Sequence, residues 1–280
     1  MPAQEDRTSS RLVARLREIT RGAATPLGFG RAPAKKQPSL LLIVYGTPDE
    51  SDLLRAAASA GADAIVGRID DAATDLTAAV VNLQTSAGSV PLGIEIVGSL
   101  DASQLGSLAV KGVDFVAFEP HRTADDVLEI AEIGRIARLI LDHHGSILRG
   151  LNDLPVDAIE IEVDRPSGSI NRLTVYDIAD LRQVVDAIRR PVIFIAPAGF
   201  SPGDLKRLRE MGVEAVALDA HGLGEDVATV SGRVSALRAA IDALGPSIGR
   251  GRTHEGRRVF LPTMRTEEPA GDEEEDDDEE

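Results

Sequence analysis

Cysteine is absent from the 280-residue chain, which excludes disulfides and thiolate chemistry. Tryptophan is absent too, and aromatics make up only 3%. Any core must therefore come from Val, Ile, Leu and Ala, which the 43% hydrophobic content supplies. Lysine is confined to Lys35, Lys36, Lys111 and Lys206, none in a predicted strand, so a Schiff-base lysine on a strand is excluded. No apolar run approaches the ~20 residues of a membrane span. The N-terminus lacks the apolar stretch of a secretory signal. The expectation is a cytoplasmic protein with no membrane span.

Charge is abundant but uneven. The net −16 divides into +5 for residues 1–38, +4 for 245–266 and −11 for 267–280, leaving −14 on 39–244. A body this acidic repels a phosphate backbone, so no nucleic-acid partner is expected. The tail 267–280 reads as a disordered, solvated segment, and as an alternative surface for a basic protein partner.

Near the N-terminus, Leu12, Leu16 and Ile19 recur at helical spacing among arginines, which makes a short amphipathic helix over 11–21. It is expected to plug one end of the fold, with a membrane surface or a protein partner as the alternative. Residues 22–38 read as a linker. Domain limits follow: 1–38 helix and linker, 39–245 folded body, 246–280 Arg-rich segment and acidic tail.

From Leu40 the chain alternates strand and helix. Expected strands are 40–45, 64–69, 92–97, 115–119, 138–142, 158–165, 191–196 and 214–219, each followed by a helical pattern. Capping boxes start at Thr47, Thr123, Thr174 and Ser201. Gly61-Ala-Asp-Ala, Gly112-Val-Asp-Phe and Gly212-Val-Glu-Ala mark a recurring helix stop, polar turn and strand start. Helix-separated strands imply parallel pairing with right-handed crossovers. Eight units favour closure into a single (β/α)8, or TIM, barrel of the α/β class, with the N-terminal helix and acidic tail outside it. An open doubly wound sheet is the alternative, but the first strand is followed by Gly46-Thr-Pro-Asp, not by a glycine-rich phosphate loop.

In such a barrel, chemistry gathers at the C-terminal ends of the strands. Strand six, Ala158-Ile-Glu-Ile-Glu-Val-Asp-Arg165, alternates apolar and acidic residues, which places Glu160, Glu162 and Asp164 on the inner face. By the same parity Glu95, Glu119 and Glu162 converge inside the rim, with Arg68 as internal counter-charge. Asp142, His143 and His144 end strand five, His121 follows strand four and His221 follows strand eight. Three arrangements satisfy such carboxylates: a divalent cation (Mg, Mn or Zn) held by Glu95, Glu119, Asp142 and a His; acids held neutral; or pairing by Arg68, Arg165 and Arg172.

The segment Pro191-Val-Ile-Phe-Ile-Ala-Pro-Ala-Gly199, Ser201-Pro-Gly-Asp-Leu, Met211-Gly-Val-Glu-Ala-Val216 resembles strands seven and eight of the phosphate-binding (β/α)8 barrels. These include isomerases and synthases of histidine, tryptophan and thiamine biosynthesis. The resemblance implies an anion at Gly199 and Ser201, where one glycine of the usual pair remains. After strand eight, Asp219-Ala-His-Gly222 puts a carboxylate where those barrels hold phosphate. A weaker resemblance, to the metal-dependent class II aldolases of the citrate-lyase type, rests on Glu95 and Glu119 as acids ending consecutive strands.

The resulting expectation is a lyase or isomerase for a small polar metabolite. Glu119, Asp142, His143, His144, Arg68, Glu162 and Asp164 would supply the catalytic groups, and Glu95, Glu119 and Asp142 a metal site. The alternative is a non-catalytic barrel serving as an interaction scaffold.

Overall fold

Eight aliphatic strands pair in parallel in chain order and close on themselves, the eighth returning to the first. The computed structural model describes residues 10–22, 38–70, 76–141, 148, 150–163 and 170–245. The strands are β1 Leu41–Gly46, β2 Ala64–Asp70, β3 Leu92–Val97, β4 Phe115–Phe118, β5 Gly134–Leu141, β6 Ala158–Val163, β7 Val192–Ile195 and β8 Ala215–Asp219. The helices are α1 Arg11–Arg21, α2 Ser51–Ser59, α3 Leu76–Ala87, α4 Ala102–Val110, α5 Val175–Ala187, α6 Leu205–Met211, α7 Ala220–Leu223 and α8 Val227–Ala243. This is the (β/α)8 barrel that the alternation implies. Among the described residues no helix is long and apolar enough to cross a membrane.

Two separate apolar clusters hold it together. The outer one joins the outward side chains of the strands, such as Leu42, Val44, Ile65, Ile94 and Phe194, to the helices. The inner one fills the lower barrel and includes Ile43, Phe115, Ile136 and Ile193.

Strand pairings stack the inward residues in layers of four from alternate strands, as barrels of this kind require. Ala64, Phe115, Ala158 and Ala215 form the lowest, then Ile43, Gly93, Ile136 and Ile193. Next come Val66, Ala117, Glu160 and Ala217, then Tyr45, Glu95, Arg138 and Ile195. Arg68, Glu162 and Asp219 close the top. Small and large residues interdigitate: a Cβ on Gly93 would lie 2.2 Å from the Phe115 ring, so the glycine is the space that the ring fills. The barrel is thus apolar below and ionic above.

Helix α1 seals the apolar end. Leu12 and Leu16 are fully buried and Ile19 nearly so, all within the inner cluster. Burying two leucines this completely is worth about 1.5–3 kcal/mol each. The apolar face that could have met a membrane is therefore consumed by the barrel, and the plug expectation holds.

Polar anchoring of α1 follows a rule. The residue before each even-numbered strand is acidic: Asp63, Asp114, Asp157 and Glu214. All four grip α1. Asp114 accepts from the Ser10 hydroxyl at 2.8 Å and from the Arg11 and Leu12 amides at 2.8 and 3.0 Å. Asp63 pairs with Arg15, Asp157 with Arg17 at 2.8 Å, and Glu214 accepts from the Thr20 hydroxyl at 3.0 Å. Three of them also accept the backbone N–H of the preceding strand, from Leu42, Arg135 and Val192.

Two expectations about elements need correction. The segment after β4 forms no α-helix, only the 3₁₀ turns Pro120–Arg122 and Asp125–Glu129. Its supposed capping pair is used elsewhere: the Thr123 hydroxyl donates to the Glu119 carbonyl, and Asp126 accepts from the Ala102 amide at the start of α4. Consequently β5 begins at Gly134, four residues before the expected Arg138. After β8 the short helix α7 precedes the long α8.

Candidate functional site

The upper barrel holds a row of alternating charges. Arg68, on β2, donates from Nε to Glu95 of β3 at 2.9 Å, and its other end pairs with Asp219 at the close of β8. Arg138, on β5, pairs with the second oxygen of Glu95 and donates to Glu162 of β6 at 2.5 Å. The row Asp219–Arg68–Glu95–Arg138–Glu162 therefore runs across the barrel with every arginine between two carboxylates. Arg68 also lies over the Tyr45 ring, 5.2 Å from its centre. Such pairing is what buried charge demands, because isolated ions in a low-dielectric interior are costly.

Below the row lies a second polar pair. Tyr45 of β1 donates its hydroxyl to Glu160 Oε1 at 2.5 Å, and both residues are buried. Burial raises the Glu160 pKa, opposed by the nearby Arg138 charge and the Tyr45 hydrogen bond. Burial and the Glu160 charge raise the tyrosine's pKa well above its ordinary value. Glu160 Oε2 and Arg138 Nε have no hydrogen-bond partner among the described residues.

The structure thus brings together Arg68, Glu95 and Glu162, as parity implies. Glu119 does not join them. It lies one residue past β4, where it pairs with His121 at 3.4 Å and Arg122 at 3.2 Å. His121 is 72% exposed in its side chain, and His221 is exposed on α7. Asp142, His143, His144, Asp164 and Arg165 lie outside the described residues. Arg138 is the participant that sequence reasoning overlooks. The alternation Ile136-Ala-Arg138-Leu-Ile140 carries the signal, and it is lost when β5 is started at Arg138.

Of the residues expected to hold a metal, Glu95 is bound by arginines and Asp142 lies outside the described residues. Both oxygens of Glu95 are held by arginines, and among the described residues no group of three His, Asp or Glu side chains stands ready for a cation.

The anion expectation meets protein carboxylates. Asp219 accepts from the amides of His221 and Gly222 at the start of α7, the position where the resemblance puts phosphate. Ser201 spends its amide, at 3.0 Å, and its hydroxyl, at 2.7 Å, on Asp204. A Cβ on Gly199 would meet the Asn171 carbonyl oxygen at 1.8 Å, so this glycine lets the loops after β6 and β7 touch.

Between those loops is a cavity of about 280 Å³, lined by Ile140, Glu162, Asn171, Ile195, Ala196 and Pro197. Glu162 is its charged wall and is 37% exposed in its side chain.

No family model matches the chain, and no curated protein matches it by sequence. Solved structures do. Tryptophan synthase from Mycobacterium tuberculosis superposes with a TM-score of 0.58 at 13% identity, covering 83% of this chain and 98% of that one. Thiamine phosphate pyrophosphorylase from Pyrococcus furiosus gives 0.52 at 17% identity, over 73% and 96%. Phosphoribosyl anthranilate isomerase from Thermus thermophilus gives 0.52 at 15%, over 73% and 100%. At these identities the likeness shows the (β/α)8 barrel fold alone.

Proposed function

We propose that this barrel is an enzyme of the lyase or isomerase type, which moves a proton on a small polar metabolite at the C-terminal mouth. The observation that supports this reading is the setting of Glu162. One carboxylate oxygen is fixed by Arg138, while the residue forms the wall of a cavity of about 280 Å³. A carboxylate so held is a positioned acid–base group. It would take a proton from a substrate carbon beside a carbonyl, then return it to a neighbouring atom or to a leaving group. Arg138 and Glu95 would hold it in place, and Asp142, His143 and His144, which follow β5 in the chain, are candidate partners for proton relay. Arg68, already bound to two carboxylates, would brace the site.

The test is exchange of substrate hydrogen for solvent deuterium. The purified chain is incubated in D₂O with pooled amino and carbonyl metabolites, and mass spectrometry reads the label. Label that appears with the wild type and vanishes with Glu162→Gln is expected. No label with any compound would remove the catalytic reading.

A second reading, a non-catalytic scaffold, is favoured by a specific observation: the anion places at α7 and Ser201 are filled by the chain's own carboxylates. Under that reading the ionic row is internal filling, and Glu162→Gln alters stability alone.

A further inference from the structure

We propose that the cavity beside Glu162 takes a small organic cation, an amine or guanidine with a short apolar body, and not a phosphorylated or carboxylate ligand. This rests on the reading of Glu162 as the ligand-facing group of the mouth. An anionic ligand needs cationic or N–H donors, and among the described residues the arginines and helix-start amides around this mouth are committed to carboxylates. Arg68 lies between Glu95 and Asp219, and Arg138 lies between Glu95 and Glu162. The amides of His221 and Gly222 serve Asp219, and those of Ser201 serve Asp204. Arg172 sets its stem near Gly199 and does not line the cavity.

What is left over is acceptor capacity. Glu162 and Asp219 are each 37% exposed, and each arginine in the row already serves two carboxylates. The five-membered row sums to one negative charge, which a bound monovalent cation would cancel. The cavity itself supplies one carboxylate, the Asn171 amide, and apolar surface from Ile140, Ile195, Ala196 and Pro197. An ammonium group on Glu162 with its carbon chain along Ile195 and Ile140 would satisfy every wall. A phosphate there would meet the Glu162 carboxylate, and like charges at contact repel.

The experiment is an NMR titration of the full chain, at fixed ionic strength, with butylammonium, butyrate and inorganic phosphate. Butylammonium should saturate and shift the signals of Ile140, Asn171 and Ile195, while butyrate and phosphate leave them in place. Glu162→Gln should weaken butylammonium binding about tenfold or more, the loss of one hydrogen bond to a charged group. If that variant does not fold, Ile140→Trp, which fills the cavity from its open side, should block butylammonium instead. Phosphate or butyrate shifting these signals in place of butylammonium would overturn the proposal, as would butylammonium binding that survives both variants. The two readings fail separately. Amine binding without deuterium exchange removes catalysis and keeps the cation site. Exchange on an anionic substrate, dependent on Glu162, keeps catalysis and removes the cation site.

Discussion

Tyr45 and Glu160 meet inside the barrel at 2.5 Å, phenol to carboxyl, with neither reaching solvent. The Glu160 pKa is raised, chiefly by burial. The folded chain therefore binds this proton more tightly than the unfolded chain does. Its stabilising contribution is full below the unfolded value, about 4.3, and is lost as pH rises through the folded value. Glu160→Gln removes that dependence. Urea unfolding from pH 4 to 9 should show the variant gaining on the wild type as pH rises, and a difference that stays constant across the range would mean that burial does not raise the Glu160 pKa. Tyr45→Phe leaves the carboxyl without its donor and should cost about 1–3 kcal/mol.

Arg138 joins Glu95 to Glu162 and is nearly enclosed, 9% exposed in its side chain. Arg138→Met leaves those carboxylates facing each other across an apolar gap. The expected loss is about 3–5 kcal/mol in denaturant unfolding, as for other buried ion pairs stripped of one partner. The double variant Arg138→Met/Glu162→Gln should recover part of it. Failure to recover would place the cost in packing and not in charge.

Glu95 is engaged on both oxygens by guanidinium groups. A divalent cation there would have to displace them. Thermal melts with Mg²⁺, Mn²⁺ and Zn²⁺, and after EDTA, should therefore superimpose. A stabilising shift that disappears in Glu95→Gln would restore the metal site expected at Glu95, Glu119 and Asp142.

The plug should be the weak point under mutation. Leu16→Ala opens a hole at the sealed end and should cost about 2–5 kcal/mol. Asp114→Ala removes the acceptor for the Ser10 hydroxyl and two amides of α1, and should cost less, about 1–3 kcal/mol. Hydrogen exchange should speed up in α1 first. Binding of the intact chain to lipid vesicles would show instead that the helix leaves its seat.

Most of the fold is legible because its signals are local and repeated. Gly61, Gly112 and Gly212 adopt positive φ where each helix ends, and the next strand begins three residues later. The failures are also local. Thr123 and Asp126 have the spacing of a cap, but their side chains find better partners on Glu119 and Ala102, which no local pattern can reveal. The site is legible in parity: Arg68, Glu95 and Glu162 point inward as alternation requires. The sequence does not reveal which charges touch, because that depends on the stagger of β2, β3, β5, β6 and β8, which carry Arg68, Glu95, Arg138, Glu162 and Asp219. Glu119 has the right parity, but β4 stops one residue short and the following turn supplies Arg122 as a nearer partner.

The seat of α1 draws one acidic residue from each pair of strands, at 63, 114, 157 and 214. A helix made before any strand thus finds its complete cradle only when residue 214 has emerged from the ribosome. Until then its leucines have no matching hollow, and a chain halted earlier would display them as bait for chaperones.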